Sequence, residues 1–331
     1  MMAKKQGIKS DIAEQVIAKF PKAATLTLAK KLFKENPSVY KDVEDARVSL
    51  RYLKGSIGGK NRAKRERVTG EPTTGNTFVI PEPDNTEWLP FSIPVGDYNM
   101  LILSDIHFPY HDKEALEIAL NYGLKNNCTS LLINGDMLDF YQLSRFDKDP
   151  RKRHFQEEIE MGRNFLLQCS KHFKHVYFKS GNHEERYEKY LYVKAPEFLN
   201  VPDFQLSILM KTAEMGVHII EDKRIIDLGY LNILHGHEFL GATSQAVNPA
   251  RGLFLKTNES CVIGHLHKSS EHNQVTLNGK LITTWSTGCL CDLHPEYARI
   301  NNWNHGFALV EVKSDGSYRL HNKRIYNKKV L

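Results

Sequence analysis

Residues 100–140 read MLILSDIHFPYHDKEALEIALNYGLKNNCTSLLINGDMLDF, and this stretch decides the fold. Met100–Leu103 is an apolar run of strand length that ends in Ser104-Asp105. Lys113–Leu124 places Leu116, Ala119, Leu120 and Leu124 on one helical face. Ser130–Asn134 is a second apolar run, ending in Gly135-Asp136. Working outward, Phe155–Ser170 has the period of a longer helix, and Val176–Lys179 is a third strand before Gly181-Asn182-His183. Strand, helix, strand, helix, strand predicts an α/β layered core. Further strands are expected at Leu231–Leu234, Cys261–Ile263, Gln274–Leu277, Lys280–Ser286, Phe307–Val312 and Tyr318–Arg324.

Five of these strands end in residues able to hold a metal. Asp105 and His107 follow the first, Asp136 and Asp139 the second, Asn182 and His183 the third. His235 and His237 follow Leu231–Leu234, and His265 and His267 follow Cys261–Ile263. The carboxyl ends of strands in open α/β sheets are where ligands bind. Carboxylates, imidazoles and one amide oxygen together suit Mn, Fe, Zn or Ni better than Ca or Mg. The donors are too many for one closed tetrahedral site and enough for two neighbouring ions. Two ions about 3.5–4 Å apart can hold a bridging hydroxide and clamp both oxygens of an in-line displacement.

These motifs, Asp105-Ile106-His107, Gly135-Asp136-Met137-Leu138-Asp139, Gly181-Asn182-His183-Glu184, His235-Gly236-His237 and Gly264-His265-Leu266-His267, resemble the calcineurin-like metallophosphoesterase superfamily, in that family's order. The resemblance covers about residues 98–270. It implies a β-sandwich of two mixed sheets flanked by helices, with the site at strand ends. It also implies a two-metal phosphoesterase in which a metal-bridging hydroxide attacks the phosphorus. By the same resemblance, Asp105, His107 and His267 hold one ion, Asp136 bridges, and Asn182, His235 and His265 hold the second. His183 matches the catalytic histidine that protonates the leaving oxygen, with Asp139 behind it, and Glu184 is structural. His237 either touches phosphate or supports the ligands. Manganese is the expected metal, with Fe, Zn or Ni as alternatives.

The chain departs from the protein serine/threonine phosphatases of that superfamily. They carry arginine and glycine after the second aspartate, where this chain has Phe140-Tyr141. This argues against a phosphoprotein phosphatase of that type. Arg145 is a candidate replacement for the lost cation, or else an ordinary surface residue. Lys148 and Arg151-Lys152-Arg153 make its loop basic, which favours a polyanionic substrate. Phe108, Tyr110, Phe140, Tyr141 and Phe146 either stack bases or pack the loops. Cys289 and Cys291, near His294, fit no zinc spacing and read as rim or packing, and Trp88, Trp285 and Trp303 as core or cap.

The rest of the chain bears on partners. Residues 1–68 hold 17 Lys+Arg and 7 Asp+Glu, a net of +10, while the remainder holds 28 and 32, a net of −4. Residues 1–56 read as three helices: Ser10–Phe20 with Ser10 as cap, Leu26–Glu35, and Tyr40–Lys54. Val43, Ala46, Leu50 and Leu53 line the buried face of the third, flanked by a strip of Arg47, Arg51 and Lys54. This is either a helix-turn-helix-like unit that binds DNA or a solvated appendage. Residues 57–97, rich in Gly, Pro and, at Lys60–Arg67, basic side chains, read as linker, and 98–331 as the phosphoesterase domain. With 41% apolar and 25% charged residues, the composition excludes a disordered chain. The first residues lack the apolar core of a secretory signal, and no apolar run is long enough to cross a membrane. Five cysteines without a C-x-x-C pair read as reduced core thiols, so a cytoplasmic protein is expected.

The leading expectation is a metal-dependent nuclease to which the N-terminal helices deliver DNA, an organisation that resembles phage and prophage genome-processing enzymes. The alternatives are a phosphomonoesterase or small-molecule phosphodiesterase whose N-terminal unit serves assembly, and a DNA-binding or scaffold protein with a vestigial metal site.

Overall fold

The structure, a computed structural model, describes residues 2–21, 23–54, 88–145, 149, 151, 155–239 and 247–331, with side chains from residue 8 onward. The chain forms two compact units, Met1–Trp88 and Leu89–Leu331.

The smaller unit contains α1 (Met2–Lys19), α2 (Thr25–Glu35) and α3 (Val43–Leu53). Ala13, Leu28, Leu32, Tyr40, Ala46 and Leu50 are its buried centre. Asp42 caps α3 by accepting from the Asp45 amide at 2.7 Å, and Tyr40 donates its hydroxyl to the Lys9 carbonyl at 2.6 Å. Ser10 is not the expected cap but lies inside α1. Ala3, Lys4, Lys5 and Gln6 are good helix formers, and Gly7 costs only about 1 kcal/mol, so the helix runs on past Ser10. The basic stretch Lys60–Arg67 and the expected linker up to residue 87 lie outside the described residues.

The larger unit holds two mixed sheets. The seven-stranded sheet has β2 (Tyr98–Leu103), β3 (Cys128–Asn134), β4 (His175–Lys179) and β5 (Val217–Ile220) as parallel neighbours. It continues on the other side of β2 through antiparallel β11 (His305–Val312), β12 (Tyr318–Tyr326) and β13 (Lys329–Val330). The six-stranded sheet runs β1 (Phe91–Ser92), β6 (Ile226–Leu228), β7 (Leu231–Ile233), β8 (Cys261–Ile263), β10 (Leu281–Ser286), β9 (Ser270–Val275). β1 falls within the stretch 57–97 read as linker, yet Phe91 and Ser92 pair with Ile226 and Asp227.

Strand alternation sorts the apolar side chains into layers. Leu101 and Leu103 of β2 pack toward Ala115, Leu116 and Ala119 of α4 (Lys113–Lys125) and Ile159 and Leu166 of α5 (Phe155–His172). Met100 and Ile102 of the same strand face the second sheet, against Ile226, Leu231, Ile233, Val262 and Trp285. Cys261 and Ile263 then point away, toward Leu253 of α8 (Pro249–Thr257). The result is helix, sheet, sheet, helix, the architecture that the motifs implied. α6 (Glu185–Lys194) follows β4, and α7 (Leu206–Leu209) precedes β5.

Three details differ from expectation. Leu124 is 39% exposed because it lies in the last turn of α4, away from the packed middle of the helix. β1, β5 and β6 were not marked in the sequence: they are short and, unlike the equally short β7 and β8, are followed by no histidine motif. The strand expected at Gln274–Leu277 is instead β9, a polar edge strand defined by its pairing with β10, and Leu277 lies in the solvent-exposed hairpin turn. All five cysteines are buried free thiols. Among the described residues no helix is long and apolar enough to cross a membrane.

Candidate metal centre

β2, β3 and β4 are parallel neighbours, so the loops after them emerge side by side; β7 and β8 are also parallel. The loops are tied to one another by backbone bonds. Asp105 donates its amide to Gly135, His107 to Asp136, Phe108 to Met137, and Gly264 to His235, at 2.8–3.1 Å. Asp105, His107, Asp136, His265 and His267 all have φ between 52° and 63°. This left-handed backbone costs a non-glycine residue about 1–2 kcal/mol. It turns the chain sharply enough to bring successive strand ends into one site. Gly135 and Gly181 are required by close approach. A Cβ at Gly135 would lie 2.3 Å from His235 Nδ1, and one at Gly181 2.2 Å from Asp136 Oδ1.

The seven expected ligands fall into two groups that meet at one oxygen. In the first, His267 Nε2 lies 3.2 Å from Asp105 Oδ1 and 3.3 Å from His107 Nε2. In the second, His235 Nε2 lies 3.2 Å from Asn182 Oδ1, and His235 and His265 rings are 5.1 Å apart. Asp136 Oδ2 stands between them, 3.2 Å from His235 Nε2 and 3.9 Å from His107 Nε2. Among the described residues, buried Asp105 Oδ1 makes no hydrogen bond of good geometry, and its near neighbour is His267 Nε2 at 3.2 Å. A buried carboxylate oxygen so poorly satisfied, among inward imidazole nitrogens, is costly unless a cation completes its contacts. The donor set therefore fits divalent metal.

The backs of the imidazoles are held. Asp139 Oδ1 lies 3.1 Å from His107 Nδ1 and 3.2 Å from His183 Nδ1, and the Asp139 carbonyl is 2.8 Å from the same His183 nitrogen. The Asn134 carbonyl is 2.8 Å from His235 Nδ1, and Cys291 Sγ is 3.8 Å from His267 Nδ1. Fixing Nδ1 in this way leaves Nε2 to face the site. Burial opposes charge on His235 and His267, yet Asp136 carries the first up to about 10 and Asp105 the second to about 9. Burial and the charge of His235 push His265 down to about 4.

Buried carboxylates brace the loops from beneath. Glu184 accepts from the amides of Asp136 (2.9 Å), Leu138 (2.9 Å) and Gly181 (2.8 Å). Glu238 accepts from His235 (2.9 Å) and Gly236 (2.6 Å) and pairs with buried Lys179 at 3.0 Å. Glu158 of α5 accepts the Phe140 amide, and burial pushes its carboxyl up to about 8.

Other expected site residues are placed as follows. His237 Nε2 is 2.8 Å from Glu185 Oε1, its ring 5.2 Å from that of His235. Arg145 is exposed just after the 3-10 turn Tyr141–Leu143. Arg151 is exposed and pairs with Asp149 at 2.9 Å; Phe146, Lys148, Lys152 and Arg153 lie outside the described residues. Phe108 and Phe140 are core residues and cannot stack on a substrate, whereas Tyr110 and Tyr141 are half-buried. Trp285 is core, Trp88 is exposed, and Trp303 packs edge-on against His267 with centroids 4.2 Å apart.

Sequence reasoning missed Arg186. Its guanidinium donates to the Asp139 carbonyl at 2.8 Å and lies 2.9 Å from His183 Nε2. The signal was present: a residue three positions after His183, at the start of a helix, projects on the same side. Glu238 and Lys179 were also missed, since their pairing spans two sheets.

No family model and no curated protein matches the chain. Among solved structures it is similar to Vacuolar Protein Sorting 29 from Cryptosporidium parvum, at 18% identity, covering 72% of this chain and 95% of that one, TM-score 0.40. It is also similar to Yfce, a phosphoesterase from E. coli, at 17% identity over 67% and 98%, TM-score 0.32. A third is the Pseudomonas putida nuclease MPE, at 13% identity over 70% and 85%, TM-score 0.31.

Proposed function

We propose that the chain is a two-metal phosphodiesterase acting as a nuclease on DNA. The observation that carries this is the two donor groups sharing Asp136 Oδ2, with Asp105, His107 and His267 on one side and Asn182, His235 and His265 on the other. When bound, two divalent ions, manganese in this reading, supply an activated water and stabilise charge on the phosphate oxygens.

The chain's own groups do the rest. His183 presents Nε2 to the site while Asp139 holds Nδ1, the arrangement a proton donor to a leaving oxygen needs. Arg186 donates to that Nε2 at 2.9 Å in this structure; turned onto a phosphate oxygen it would free Nε2 to carry the proton, taking the gripping role for which the sequence offered Arg145 as a candidate. His237, held by Glu185, supports His235 or reaches the phosphate. Glu184 and Glu238 keep the loops rigid so that none of these groups must reorganise during reaction.

DNA as substrate is supported by the net +10 of residues 1–68. On α3, Arg47 and Arg51 are half-exposed, and Arg47 pairs with its own-helix neighbour Glu44 at 3.1 Å. Lys54 of the same strip is partly committed, donating to the Ala23 carbonyl at 2.9 Å.

The test is a nuclease assay with Mn²⁺ on linear, circular and single-stranded DNA, beside hydrolysis of bis(p-nitrophenyl) phosphate and p-nitrophenyl phosphate. Cleavage of DNA and of the diester is expected. Activity on the monoester alone would replace this reading with a phosphomonoesterase whose N-terminal unit serves assembly. No hydrolysis, with no metal bound, would leave a scaffold.

A further inference from the structure

The loop between β10 and β11 carries an aromatic pair that the chemistry above does not use. It is anchored to the ligand loops at both ends: Asp292 donates its amide to the Tyr110 carbonyl at 2.8 Å, and Asn304 to the His267 carbonyl at 2.9 Å. Between these anchors it has one short 3-10 turn, Glu296–Ala298, and is held by side chains. Asn301 donates to the Leu293 and Ala298 carbonyls at 2.6 and 2.7 Å and accepts from the Trp303 amide at 2.8 Å. Arg299 donates to the His294 carbonyl at 2.9 Å.

What this hydrogen-bonded loop displays is Tyr297. The residue is 76% exposed, and its ring meets that of Trp303 edge-on, with centroids 6.2 Å apart. Trp303 in turn rests on His267. Through Trp303 the exposed ring is thus linked to His267, one of the expected metal ligands. Ligand sites combine aromatic side chains with a few convergent polar groups, and here an exposed aromatic pair adjoins the metal-ligand loops.

We propose that Tyr297, backed by Trp303, is a stacking platform for an unpaired nucleobase attached to the phosphate held at the metal centre. This rests on the phosphodiesterase reading and names its substrate class. Every base offers a π-face, so one ring serves any sequence. In a duplex both faces of a base are already stacked. The platform thus selects single strands, ends or bases turned out of the helix.

The test uses the full chain loaded with Mn²⁺ and measures equilibrium binding, not turnover. Thymidine 5′-monophosphate and methyl phosphate are titrated by calorimetry. Stacking worth about 1–3 kcal/mol per base makes the nucleotide roughly 5- to 150-fold tighter. Tyr297→Leu should bring that ratio close to one, and Tyr297→Phe should keep it. In the unaltered protein, the 5,6-dihydrothymidine nucleotide, whose ring is not planar, should lose most of the advantage. A ratio near one in the unaltered protein overturns the platform, as does a ratio that survives Tyr297→Leu. If both Tyr297→Leu and Tyr297→Phe lose it equally, the hydroxyl and not the ring is responsible, which also overturns stacking. Failure of the diesterase reading appears separately, as no hydrolysis of methyl p-nitrophenyl phosphate, which carries no base.

Discussion

The loops after β3 and β4 rest on Glu184, and the loop after β7 rests on Glu238. Both glutamates are buried carboxylates accepting loop amides, yet their surroundings are opposite. Glu184 takes three amides, and burial together with neighbouring Asp136 pushes it up to about 7. Burial works against the charge of Glu238 as well, but Lys179 and then His235 bring it down to about 2. One brace is held by backbone dipoles and the other by a full countercharge. The difference follows from position: Lys179 ends β4 and reaches across to the second sheet, where it also donates to the Arg224 carbonyl at 2.7 Å. The brace between the sheets thus carries a buried ion pair, and the one within the first sheet does not need it.

Asp136 joins the two sides, so Asp136→Asn is expected to do the most damage. Under saturating Mn²⁺ the protein should hold about two ions and the variant fewer than one. Its rate on bis(p-nitrophenyl) phosphate should fall by more than the roughly 10²–10⁴-fold that a single general acid contributes. A variant that retains two ions would show that the two groups do not share this carboxylate.

His183→Asn should come next. It should keep both ions and lose about 10²–10⁴-fold with an alkyl leaving group, and much less with p-nitrophenolate, which needs little protonation. Equal losses with both leaving groups would mean that His183 acts by charge or position alone.

The braces themselves are compared by urea unfolding. Lys179→Met leaves Glu238 buried without its cation and should cost about 3–5 kcal/mol. Glu184→Gln keeps an acceptor oxygen and removes no ion pair, so about 1–3 kcal/mol is expected. The reverse order would break the distinction drawn between the two glutamates.

The smallest effect belongs to the other unit. Arg47→Ala with Arg51→Ala should weaken DNA binding, with thermal melting checking that the three helices remain folded. Each phosphate left unneutralised should flatten the log–log salt dependence by about 0.9. Anisotropy titrations at two salt concentrations that give the same affinity and slope as the unaltered chain would take α3 out of DNA delivery.

By itself the sequence determined the layered α/β class and the identity of the chemical groups. Apolar runs such as Met100–Leu103 and Ser130–Asn134 are local signals of period, and short motifs keep their donors beside strand ends whatever the rest of the chain does. Phe108 and Phe140 directly follow two of the ligand motifs, and only packing showed them to be core. Tertiary structure alone decided what spans two loops or two sheets. The approach of Arg186 to Asp139, the Lys179–Glu238 pair, the Cys291 thiol behind His267 and the edge-on contact of Tyr297 with Trp303 are all of this kind. Each depends on distances between segments far apart in the chain or on the direction in which a turn sends a side chain. Hydrophobic period carries neither, because it reports which face of an element is buried and not what that face meets.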